Sequence, residues 1–94
     1  MIASTLDPDG RRVVLGDNEW SHIKRRHPEL SASLREILAA VREPDRQMKG
    51  RLPGETWFFA ERVGRFPWLQ VVVHYERGEG WIVTAFARRV PPEK

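Results

Sequence analysis

Leu30, Leu34, Ile37, Leu38 and Val41 recur at i, i+4, i+7, i+8 and i+11, and Pro44 ends the stretch. This spacing draws one apolar stripe down a helix, and such a stripe has to be buried against another layer. Past Pro44 the apolar period changes from 3.6 to 2. Segments 55–63, 68–75 and 81–87 are rich in β-branched and aromatic residues, and Gly64-Arg65-Phe66-Pro67 and Arg77-Gly78-Glu79-Gly80 separate them. Such segments read as strands, and turns this short join antiparallel neighbours. Arg46 to Lys49 adds a short strand before the Gly50–Gly54 loop. The expected class is therefore α+β, with two N-terminal helices packed on one face of a three- or four-stranded antiparallel sheet.

Ahead of the stripe, residues 2–6 are mildly apolar, Asp7-Pro8-Asp9-Gly10 is a turn signal, and Arg11–Leu15 reads as a short strand. These form either a hairpin or a single leading strand. Gly16-Asp17 breaks the strand, and Asp17 is the expected cap of a first helix with Glu19 in its first turn. On that helix Trp20, Ile23 and His27 share one face, while His22 and Arg26, four apart, share another. The two histidines are thus expected to do different jobs. Pro28 steers His27 out of the α region and ends the helix there. For the second helix Ser31 or Ser33 is the expected cap, and Ser33 with Glu36 has capping-box spacing.

Ninety-four residues, 40% of them hydrophobic, support one core and no second, so a single domain over 1–94 is expected, folded from about residue 12 to about residue 90. With no cysteine, disulfides and thiolate chemistry are excluded. No apolar run reaches the ~20 residues of a membrane span, and the first residues lack a secretory pattern, so a cytoplasmic protein without a membrane partner is the expectation. The net charge of +3 is carried mostly by arginine. Arginine forks match phosphate oxygens in pairs, which makes a nucleic-acid partner reasonable, although a basic solvated surface explains the same charge. No His-Glu-x-x-His spacing, glycine-rich phosphate loop or nucleophile elbow is present, so no metal or nucleotide cofactor is expected.

The pattern Trp20-x-His22-Ile23-x-x-Arg26-His27-Pro28-Glu29, the helix ending at Pro44, the Val71-Val72-Val73 strand and the final Ile82-Val83-Thr84-Ala85-Phe86 strand resemble the phage-associated nuclease-like domains of the barnase, EndoU, colicin-nuclease and RelE superfamily. The resemblance implies helices followed by a four-stranded antiparallel sheet. It also implies a metal-independent ribonuclease of toxin type, with RNA as substrate and an antitoxin or immunity protein as partner.

Cleaving RNA without a metal means attack by the ribose 2′-OH on its own phosphate, so a site must remove that proton, protonate the leaving oxygen and stabilise phosphoryl charge. His22 matches the family motif and is the expected acid/base group, the plain alternative being a surface histidine. Arg26, with Arg25 beside it, would clamp phosphate, or else forms a solvated helix face. His27 is expected to be structural, satisfying the helix end. Alternation puts Ile82, Thr84 and Phe86 on one face, and in the resembling domains a hydroxyl on the last strand lines the active face. Arg62 and Arg88 are candidates for the RNA backbone or are plain edge cations. His74 and Tyr75 point to opposite faces, one of them toward the cleft, and Phe86 or Trp57 could stack on a base. Glu61 and Glu76 match nothing specific, so no glutamate is assigned as the general base. Two other functions fit the same residues: a catalytically silent RNA-binding module and a protein-interaction domain.

Overall fold

The computed structural model describes residues 2–92. Strand β1 (Ala3–Leu6) and strand β2 (Arg12–Leu15) precede helix α1 (Asp17–Arg26), a 3-10 turn (Pro28–Leu30) and helix α2 (Leu34–Arg42). Strands β3 (Arg46–Lys49), β4 (Glu55–Val63), β5 (Phe66–Glu76) and β6 (Glu79–Arg88) follow. All six strands form one sheet in the order β1-β2-β6-β5-β4-β3. No helix among the described residues is long and apolar enough to cross a membrane.

The class is α+β, but the expected layout of three or four antiparallel strands behind two leading helices is wrong. The sheet has six strands and is mixed, because β2 pairs in parallel with β6 through Val13 opposite Gly80 and Val14 opposite Trp81. The β1–β2 hairpin that leads the chain belongs to this sheet, with Ala3 opposite Leu15 and Leu6 opposite Arg12. A parallel neighbour requires a long crossover, and here it contains both helices and the β3–β4–β5 meander. Local periodicity carries no trace of a pairing between segments so far apart in sequence.

The helix boundaries follow the backbone chemistry at most ends. Pro28 forces His27 to φ −132° and ψ 70°, and α1 stops at Arg26; α2 stops at Arg42, two residues before Pro44. At the starts, two expected caps are not formed. Gly16 holds the cap position of α1 in extended backbone, leaving Asp17 inside the first turn with Glu19, where both still suit the helix dipole. Ser33 caps α2 with φ −109° and ψ 24°, having come out of the 3-10 turn, and makes no side-chain cap bond. An N-cap side chain reaches the first amides from extended backbone, which this turn denies it.

The stripe on α2 is buried as its spacing demands: Ile37 and Val41 are fully covered, and Leu34 and Leu38 pack at the margin. It meets Phe58 from β4, Leu69, Val71 and Val73 from β5, Ile82 and Ala85 from β6, and Val13 and Leu15 from β2 in one core, which Trp20 and Ile23 of α1 also join. Each such side chain contributes about 1.5–3 kcal/mol by burial. At the end of this core the Asp7 carboxylate, itself buried, accepts the amides of Asp9 and Arg11, the Arg11 guanidinium and the Tyr75 hydroxyl at 2.7–2.9 Å. This clamp fixes the β1–β2 turn against β5.

Candidate functional site

Residues directly opposite on paired strands share a sheet face. Four rows therefore cross the face opposite the main core: Glu55–His74–Trp81, Met48–Trp57–Val72–Thr84, Arg46–Phe59–Gln70–Phe86, and Glu61–Trp68–Arg88. Phe59, Trp68 and Val72 are buried, yet they lie outside the main core. They form the floor of a second layer.

One correction follows from the register between β5 and β6. Val72 faces Thr84 while Val73 faces Ile82, so Val83 is an extra residue at a β-bulge. Strict alternation would put Ile82, Thr84 and Phe86 on one face. Instead Ile82 is buried in the main core, and the bulge turns Thr84 and Phe86 to the other side. The hydroxyl thus lies on the open face, and for a reason that alternation does not contain.

A cleft of about 890 Å³ occupies this face, floored by Trp57, Phe59, Val72 and Phe86, with Thr84 beside them. Arg51 and Glu55 stand at one end. Glu55 Oε1 accepts the Trp57 indole N–H at 2.9 Å and the Arg51 amide at 3.0 Å, which fixes the ring and the carboxylate together. At the other end the chain after β6 folds back, and Val90, Pro91 and Pro92 line the wall. Arg88 pins this tail. Its guanidinium donates to Gln70 Oε1 at 2.8 Å, to the Val90 carbonyl at 3.0 Å and to the Pro91 carbonyl at 3.4 Å, and lies 5.6 Å from the Phe59 ring centre. Arg46 adds a bond to the Pro92 carbonyl at 3.3 Å. A guanidinium so engaged is a structural clasp first.

The histidines divide as their helix faces imply. α1 packs against β6, and His27 at its end lies with its ring centre 5.9 Å from that of Phe86, tilted by 36°. Its Nδ1 is 3.7 Å from Glu29 Oε2, an ion-pair distance when the ring is protonated. His27 thus meets Phe86, whose ring lines the cleft, but is not itself among the lining residues; it is half-buried beside a carboxylate. His22 is on the outer side of α1, in a shallow depression with Asn18, Glu19, Ser21 and Arg25. Arg26 is exposed on the same helix. His22, Arg25 and Arg26 are thus away from the residues that line the cleft. Arg62 is exposed near the end of β4 with φ +58°, and it too lies outside the cleft.

Of His74 and Tyr75, it is His74 that shares the open face, between Glu55 and Trp81, while Tyr75 packs on the main core and bonds Asp7. Sequence reasoning missed Glu55, Arg51 and Gln70. Glu55 had a readable signal: it stands two residues before Trp57, and a strand puts such a pair on one face. Among the described residues no group of three or more His, Asp or Glu could hold a metal ion. Comparison with protein-family models, with curated proteins and with solved structures finds no match to this chain.

Proposed function

We propose that the open-face cleft binds single-stranded RNA and cleaves it by 2′-OH transesterification, with His27 as the acid/base imidazole. The observation that carries the reading is the contact of His27 with Phe86, whose ring lines a cleft that also holds Thr84. An imidazole can act as acid or base, and with Glu29 Oε2 3.7 Å from Nδ1 the other ring nitrogen, Nε2, is the one proposed to exchange a proton with the substrate. Glu55 stands two rows and two strands from Phe86, with its Oε1 engaged by Trp57 and Arg51, so it is not assigned to the same phosphodiester as His27. Thr84 can donate to a phosphoryl oxygen, and Trp57 and Phe86 give bases a stacking surface. The sequence resemblance supports the same chemistry and adds a toxin role under an antitoxin or immunity protein.

The test is incubation of the purified protein with total RNA in EDTA, comparing wild type, His27→Ala and His22→Ala by fragment size and 3′-end chemistry. Wild type and His22→Ala should give fragments ending in cyclic phosphate, and His27→Ala should be slower by about 10²–10⁴-fold. Loss in His22→Ala with activity kept in His27→Ala would return the chemistry to the outer face of α1. Intact RNA in every lane, with binding that weakens steeply as salt rises, would make the domain an RNA-binding module.

A further inference from the structure

We propose that the groove beside the loop between β3 and β4 is a second phosphate subsite, which holds the backbone of an RNA strand where it leaves the cleft. The inference rests on the cleft being the RNA site. The groove, about 400 Å³, is lined by Arg11, Lys49, Arg51, Glu55 and Tyr75, among others. Arg51 and Glu55 also line the cleft, so the two concavities meet at this loop.

The loop is preformed. The Gly50 amide donates to the Glu55 carbonyl at 2.8 Å, the Glu55 amide to the Leu52 carbonyl at 3.1 Å, and the Tyr75 amide to the Gly54 carbonyl at 2.7 Å. Gly54 has φ +79°, and a Cβ there would meet the Tyr75 carbonyl at 2.9 Å, so the tight approach of loop to β5 needs glycine. Arg11 is equally fixed, held by Asp7 and stacked 3.9 Å over the Tyr75 ring. Lys49 and Arg51 are exposed, and among the described residues neither side chain has an ion-pair partner. Among the described residues Glu55 is the one carboxylate lining the groove, and its Oε1 already takes the Trp57 indole and the Arg51 amide. With Arg11 paired to Asp7 and Asp9, Lys49 and Arg51 are the cations left against Glu55, and a rigid concavity of this charge that shares Arg51 and Glu55 with an aromatic cleft matches a strand that stacks its bases in one and rests a phosphate in the other. Backbone contacts of this kind add affinity without sequence preference.

The experiment measures binding of 2′-O-methyl oligonucleotides of two and eight residues, which cannot undergo transesterification, to the full chain at several salt concentrations. The quantity read is the ratio of octamer to dimer affinity. Lys49→Ala should lower that ratio by about 3–10-fold and reduce the salt slope for the octamer by about 0.7, while Lys49→Arg should keep both near wild type. An unchanged ratio and slope in Lys49→Ala would overturn the subsite and leave the cleft reading standing. Octamer binding with the expected Lys49 effect, but without any RNA cleavage by the wild type, would uphold the subsite and overturn only catalysis. Failure of the wild type to bind either oligonucleotide would overturn both.

Discussion

On the helix-covered face of the sheet, Phe58, Leu69, Val71, Val73, Ile82 and Ala85 are all fully buried. On the opposite face the same strands bury Phe59, Trp68, Gln70 and Val72, leave Trp57, Thr84 and Phe86 half-buried and Trp81 and Val83 exposed, and Val90 to Pro92 fold over one end. The covered face contains apolar side chains and one clamp built on Asp7. The open face contains an imidazole, a carboxylate, a hydroxyl and aromatic rings. Burial accounts for the first face and for the floor of the second, but not for the polar groups at the second face's surface.

Truncating equivalent rings on the two faces puts this contrast at risk. Phe58→Ala should destabilise the fold by about 3–5 kcal/mol, because a close-packed core cannot collapse into the space left. Phe86→Ala should cost about 1–2 kcal/mol, since a half-buried ring gives up less area and water fills its place. Urea unfolding of both variants measures the difference. Equal losses would mean that the open face is a second core and no longer a surface held for a ligand.

Asp7 sharpens the comparison, as a charge buried at the covered end. Burial pushes its carboxyl up, but the Tyr75 hydroxyl, the Arg11 amide and the Arg11 guanidinium together outweigh burial and hold it below its ordinary value of 3.8. A depressed folded value means that the stability it contributes is fully present above the ordinary value and is lost as pH falls through the folded one. Asp7→Asn should cost about 2–3 kcal/mol at neutral pH, since Arg11 loses its counter-charge. It should also flatten the acid limb of stability against pH. A variant with wild-type stability and an unchanged acid limb would show that the clamp contributes nothing.

The same contrast sets what was legible in the sequence. The α2 stripe and the stops at Pro28 and Pro44 are local facts of spacing and backbone, and they hold. The strand segments also hold to within a few residues at their ends. The β2–β6 pairing, the bulge at Val83 and the return of Pro91 and Pro92 to the cleft wall depend on partners far away in the chain, and no local period encodes them. His22 and His27 were correctly separated by helix face. Which face meets the cleft depends on how α1 docks on β6, and that is decided by tertiary packing. Alternation groups Thr84 with Ile82, whereas the structure separates them, because the single extra residue at Val83 changes the parity of everything after it.

Thr84→Val tests the open face with the least disturbance. Valine keeps the β-branch and nearly the volume of threonine, so the strand and its pairing with Val72 should persist, and stability should change by less than about 0.5 kcal/mol. If the hydroxyl donates to a phosphoryl oxygen, kcat/KM for RNA cleavage should fall by about 5–10-fold, the worth of one modest hydrogen bond. Thermal unfolding beside steady-state cleavage separates the two readouts. Loss of rate at constant Tm would tie the hydroxyl to the reaction. A fall in Tm with no loss of rate would make Thr84 an ordinary strand residue, and the bulge that turns it outward would then serve only the curvature of β6.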